Sequence, residues 1–316
     1  MVVAASEPQT LRRVSRANME VEREPPAMEN TSFKEASFFP DLGKIDAWLS
    51  QRGFKNNDRL RNYRTILSKL VCLEESGGRA AAYDWLLKRR SPGENLSAFM
   101  DGWEIVDALK CLRAEKVEVP DELLKRALGG PKDASQENSN NNQSRNATFE
   151  LTVGAMVARQ NLHPVLSTGN PDVEFRFEDR RVLIECKRVL EGRSAMRTAT
   201  EGIRQLRKQV RAADCEVGIV AVNISREFYR GDRCLEVLAG TEPREALYER
   251  ISLFIDAHRE AILGMNCEAA AGAFFYAAAP FRLEDGRFML SRAGTFCPFD
   301  VGGNEFLGRL AQRLYL

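Results

Sequence analysis

Pro171-Asp172-Val173-Glu174-Phe175-Arg176-Phe177, the polar turn Glu178-Asp179-Arg180-Arg181, and Val182-Leu183-Ile184-Glu185-Cys186-Lys187 decide how this chain is read. Both flanks alternate or run apolar as strands do, and the charged turn between them closes a hairpin. Side chains alternate along a strand, so Leu183, Glu185 and Lys187 share one face while Val182, Ile184 and Cys186 share the other. The hairpin brings the start of its first strand beside the end of its second, which sets Asp172 next to Glu185. Pro171 suits a strand start, where the ladder does not need its missing N–H.

Two carboxylates held within ~4–6 Å repel each other unless a cation lies between them. A hard divalent ion with oxygen ligands answers that need, Mg²⁺ first and Mn²⁺ as a substitute. Such an ion would hold a phosphate oxygen and acidify a bound water. Lys187, one pleat beyond Glu185, is a compact cation suited to orienting that water or the phosphate. The segment from Ala147 to Gln160 is expected to be a helix with Phe149, Val153, Met156 and Val157 on its apolar face. Glu150 lies beside that face, one turn from Gly154, a glycine that lets the helix approach the sheet closely. Glu150 is therefore expected to reach the metal directly or through water.

Working outward, strands are expected at 164–167, 172–177 and 182–187, then a helix over 199–212 and a strand over 217–224. A helix around 244–263, strands at 271–278 and 287–291 and a C-terminal helix complete the series. This order predicts an α/β domain, a mixed sheet flanked by helices, over residues 146–316. Upstream, residues 37–130 show only helical periodicity, with Gly53, Pro120 and Gly129-Gly130-Pro131 as punctuation. They are expected to form a small all-α domain that selects substrate or partner. Residues 131–145, PKDASQENSNNNQSR, carry no large apolar side chain and read as a flexible linker. Residues 1–36 have the composition of a disordered tail.

Helix with Glu150, Pro171-Asp172, then Glu185-Cys186-Lys187, then a helix, resembles the PD-(D/E)XK nuclease superfamily over about residues 146–224. The resemblance implies a restriction-endonuclease-like fold and a Mg²⁺-dependent hydrolase acting on phosphodiester bonds, with DNA expected ahead of RNA and the choice between them left open. It implies that Asp172 and Glu185 bind the metal with the backbone carbonyl of Cys186, and that Lys187 assists the attacking water. Many relatives carry a Gln on the following helix, and Gln205 is the match. Some show a Tyr four residues later, where this chain has Gln209, so the subfamily stays open.

Net charge is +1, so any nucleic-acid partner must be held by a local basic surface. Eight basic side chains fall between Lys187 and Arg211, and Arg188, Arg204, Lys208 and Arg211 are the expected phosphate contacts. Seven scattered cysteines without a C-x-x-C pair fit a reduced, cytoplasmic protein. Two distant histidines exclude a His-rich zinc site, and His258, on the stripe Leu247, Ile251, Phe254, reads as a core histidine. No apolar run approaches the ~20 residues of a membrane span. A homodimer or a protein partner held by the helical domain is compatible with this pattern. Two alternatives stay open: a binding protein of the same fold without cleavage, and a protein–protein adaptor acting through the helical domain.

Overall fold

A computed structural model describes residues 35–55, 57–87, 94–131, 142–189, 194–210, 216–229, 234–237, 240–265, 270–284, 288–299 and 305–314. Four helices come first: α1 (Glu35–Gln51), α2 (Asp58–Leu87), α3 (Glu94–Ala114) and α4 (Asp121–Leu128). Then follow α5 (Gln143–Arg159), β1 (Val165–Leu166), β2 (Val173–Phe177), β3 (Arg180–Arg188), α6 (Ala195–Leu206) and β4 (Glu216–Asn223). The chain continues as α7 (Ser225–Phe228), β5 (Leu235–Glu236), α8 (Pro243–Ala257), α9 (Arg259–Leu263), β6 (Gly272–Arg282), β7 (Phe288–Pro298) and α10 (Glu305–Leu314). The protein is α/β, with a mixed, open seven-stranded sheet.

The strand order is β1-β2-β3-β4-β6-β5, with β7 also paired to β6. β1, β2 and β3 form an antiparallel meander, β3, β4 and β6 run parallel, and β7 returns antiparallel along the whole of β6. β3 lies between two neighbours, and Val182 through Cys186 are all at most 3% exposed. Burial on both faces explains why this strand reads as a continuous apolar run interrupted by one Glu. Register fixes which side chains share a face. Lys187 lies beside Val222 and Val222 beside Phe275, whose ring meets Phe254 of α8 at 5.8 Å. Arg188, Asn223 and Tyr276 therefore belong to the opposite face, where Phe149 of α5 packs on Tyr276 at 5.4 Å. So α5 lies on one face and α8 on the other, and α6 joins the α8 side through Gly202, where a Cβ would meet Val220 at 2.5 Å.

Several boundaries differ from the expected ones. Of the tail, residues 1–34 lie outside the described residues, while Glu35 and Ala36 already belong to α1. Of the stretch 131–145, residues 132–141 lie outside them, and Gln143 to Arg145 are the first turn of α5. Within the helical stretch 37–130, α2 is a single run kinked at Gly78, whose φ of 76° suits a residue without a Cβ. α6 begins four residues earlier than expected, and its last turn loosens after Leu206. β7 is longer than periodicity implied because β6 pairs with it at every position, and the two-residue β5 was not legible at all. His258 caps α8 instead of joining the core: it is half-buried, with Nδ1 at 2.8 Å from the Phe254 carbonyl oxygen and its ring stacked on Phe254. The five described cysteines are all free of disulfides. Among the described residues no helix is long and apolar enough to cross a membrane.

The helices α2 to α5 meet at a buried charge junction. Asp101 of α3 accepts a hydrogen bond from Arg59 Nε of α2 at 2.9 Å and is ion-paired with Arg145 of α5, whose Nε lies 3.2 Å away. Arg59 also donates to the carbonyl of Ala127 at the end of α4. One turn along α3, Glu104 accepts a hydrogen bond from the Tyr276 hydroxyl at 3.3 Å. Burial, with Asp101 adding repulsion, pushes the Glu104 carboxyl from 4.5 up to about 7 against the pull of Arg188 and Arg292. Between those two pH values the folded chain holds a proton that the unfolded chain has released, so stability falls as pH rises. The loss amounts to roughly 3 kcal/mol and is complete above the folded value. Glu104→Gln is therefore expected to out-stabilise the parent above pH 7 and to lose that advantage near pH 4.5. Urea melts at the two ends of this range test it, and an advantage independent of pH would refute the assignment.

Candidate active site

The antiparallel register that pairs Val173 with Ile184 puts Asp172 across from Glu185. Asp172 is anchored at both ends. Its backbone N–H donates to the Ile184 carbonyl at 3.1 Å, and its Oδ2 accepts the Cys186 N–H at 2.7 Å. The hairpin is tighter than expected, since Phe177 pairs with Arg180 and only Glu178 and Asp179 form the turn. Glu178 takes a left-handed φ of 55° there, and its carboxylate is held by Arg309 of α10 at 2.7 and 3.0 Å.

Glu185 is 1% exposed. Its Oε1 accepts from Lys187 Nζ at 2.5 Å, and its Oε2 is buried without a hydrogen-bond partner. Burial and the neighbouring Asp172 push the Glu185 carboxyl up to about 7, against the pull of Lys187. Burial and Glu150 push Asp172 up to about 7 as well, against the Cys186 N–H, Lys187 and Arg126. Cys186 lies at the back of the cluster, and its thiol is driven well above its usual range by burial and by all three carboxylates.

Glu150, 3% exposed on α5, reaches the same cluster. Its helix comes close because Gly154, one turn on, faces Leu166 of β1, where a Cβ would meet a methyl at 2.6 Å. Both Glu150 oxygens go to the guanidinium of Arg126 on α4, at 2.9 and 3.4 Å. Burial raises the Glu150 carboxyl while Arg126 pulls it back. Arg126 is the residue that motif reading passes over. It stands in an eight-residue helix whose Leu123, Leu124, Ala127 and Leu128 are buried, on the flank of that apolar stripe, while its neighbour Lys125 is exposed. That flanking position is the one signal the sequence offers.

α6 approaches the cluster at Gly202, where a Cβ would meet the Lys187 side chain at 3.3 Å. Gln205, three residues on, is half-buried and its Oε1 is buried without a partner. Gln209 Oε1 is in the same condition. Of the expected phosphate contacts, Arg204 and Lys208 are exposed on and just after α6, and Arg211 lies outside the described residues. Arg188 is half-buried on the opposite face of the sheet, where its charge acts on Glu104 and Asp101.

Among the described residues, no group of three or more His, Cys, Asp or Glu side chains forms a ready-made metal cluster. The engagement of Glu150 by Arg126 leaves two carboxylates, Asp172 and Glu185, and two are what a largely hydrated Mg²⁺ takes. An orphaned, buried carboxylate oxygen on Glu185 and two mutually repelling acids fit such an ion, since leaving that oxygen unsatisfied costs about 1–3 kcal/mol or more. Compared with known proteins, the chain matches no family model, no curated protein and no solved structure.

Proposed function

We propose that this protein is a Mg²⁺-dependent nuclease of the PD-(D/E)XK type, with a restriction-endonuclease-like core, cutting DNA rather than RNA. The observation that carries the reading is the Asp172–Glu185 pair: two buried, mutually repelling carboxylates on adjacent strands, one with an unpartnered oxygen and Lys187 alongside. The run α5-β1-β2-β3-α6-β4 supports it, as does the meander followed by a parallel strand.

Asp172 and Glu185 would hold the metal, with the Cys186 carbonyl beside them. Bound there, Mg²⁺ supplies positive charge to a phosphate oxygen and lowers the pKa of water. Asp172 is kept in place by the Cys186 N–H, so its carboxylate is pre-positioned before any ligand arrives. Lys187 is held through Glu185 and through its packing against Gly202, which aims its ammonium at the cluster. From there it orients the attacking water or the phosphate. Exposed Arg204 and Lys208 would follow the backbone of the nucleic acid. A cytoplasmic location belongs to the same proposal.

A binding protein without cleavage is the second reading. It is favoured by the pairing of Lys187 with Glu185 and of Arg126 with Glu150, which leaves most of the charge compensated without a metal. Incubating purified protein with plasmid, linear duplex, single-stranded DNA and RNA in Mg²⁺, Mn²⁺ or EDTA separates the two. Metal-dependent cutting, reduced by about a hundred- to ten-thousandfold in Lys187→Ala, is the expected result. Salt-sensitive binding with no cutting in any condition would leave only the second reading.

A further inference from the structure

Arg126 comes to the carboxylate cluster from outside the motif that defines it. It lies on α4, 24 residues before Glu150, and its side chain is 28% exposed while that of Glu150 is 4% exposed. The guanidinium uses Nη1 and Nη2 on Glu150, and its Nε–H is buried with no hydrogen-bond partner. Each terminal guanidinium nitrogen carries two N–H groups, so a partly exposed arginine can hold a carboxylate with one pair and offer the outer ones to a phosphate.

Charge accounting points the same way. Glu150, Asp172 and Glu185 against Lys187 and Arg126 leave one negative charge when all five are ionised. A divalent ion turns that into one positive charge, which a single phosphodiester neutralises. Without Arg126 the loaded cluster would sum to zero and offer a phosphate no net attraction.

We infer that Arg126 contacts a backbone phosphate of the bound nucleic acid, so that the helical segment completes the site and supplies part of its grip on substrate. The inference rests on the nucleic-acid reading above. It makes Arg126 a substrate-binding residue, distinct from the metal-binding pair, through the charge it carries.

The test is equilibrium binding of a short fluorescent duplex and the matching single strand across a range of KCl, with Ca²⁺ in place of Mg²⁺, alongside cleavage in Mg²⁺. Arg126→Ala is expected to flatten the plot of log K against log salt by about 0.9 for duplex or about 0.7 for single strand, one phosphate contact in either case. Arg126→Lys keeps the slope, since the charge remains, but loses cleavage because the planar fork is gone. Glu150→Gln breaks the ion pair and leaves the guanidinium, so its slope matches the parent. If Arg126→Ala melts early, Arg126→Gln, with similar reach and no charge, carries the slope measurement.

Equal slopes for parent and Arg126→Ala would overturn the inference, as would equal flattening by Arg126→Ala and Glu150→Gln, the signature of a purely structural pair. Cutting by the parent with an unchanged Arg126→Ala slope removes this inference and leaves the nuclease reading standing. An Arg126-dependent slope without cutting does the reverse. A parent that neither binds nor cuts overturns both.

Discussion

Asp172→Asn is expected to abolish Mg²⁺-dependent cleavage, by about a thousandfold or more, while leaving the metal-free fold at least as stable as before. Asparagine has the shape of aspartate, and its amide oxygen can still accept the Cys186 N–H that Asp172 Oδ2 takes at 2.7 Å. What the substitution removes is the charge. In the proposed mechanism that charge holds the metal, whose stabilisation of the transition state is worth several kcal/mol, and about 4 kcal/mol corresponds to a thousandfold. Without metal the same charge is a burden, because burial and Glu150 already push the Asp172 carboxyl up to about 7.

A thermal melt provides a readout independent of catalysis. A ligand at a hundred times its Kd stabilises the folded state by about 2.7 kcal/mol, so Mg²⁺ is expected to raise the melting temperature of the parent measurably. Asp172→Asn should lose that response. A variant that cuts at the parental rate, or that responds to Mg²⁺ as the parent does, would remove Asp172 from the site.

The largest expected loss of stability comes from Asp101. Its carboxylate is the shared partner of Arg59 and Arg145, each with a side chain 2% exposed, and its pKa is held down by both guanidinium groups against the effect of burial. Asp101→Asn leaves two buried cations without their anion. Removing one partner of a buried pair costs about 3–5 kcal/mol, and this junction loses the partner of two. We expect a cost at the upper end of that range, measured by urea unfolding. A cost below about 1 kcal/mol would show that the junction is not needed.

The two residues illustrate what could be read from the chain without its fold. Asp172, Glu185 and Lys187 were legible because a hairpin is local: strand alternation assigns faces, and a short turn dictates which ends meet. α4 was legible for the same reason, since Pro120 opens it and Gly129 closes it within ten residues of sequence. The junction around Asp101 was not. Arg59 and Asp101 are 42 residues apart, and each looks like an ordinary helix-surface charge until the helices pack. Arg145 sits in a polar stretch whose composition signals a linker, yet it is 3% exposed because Asp101 draws it inward.

Arg188 makes the same point from the other direction. In sequence it belongs to a basic run beside Lys187, but alternation turns it to the opposite face of the sheet, toward Glu104 and Asp101. The sequence by itself determined the long helices and strands around the site, the presence of the hairpin, and the alternation that sets Asp172, Glu185 and Lys187 together at its open end. These depend on periods of two and 3.6 residues and on short turns, all properties of neighbouring residues. Only the tertiary structure decided that α4 lies against α5, that Arg126 pairs with Glu150, and that the buried cations of α2 and α5 share one anion on α3. Such pairings depend on which helix faces are desolvated together, a choice made by packing across the whole chain rather than by any local pattern.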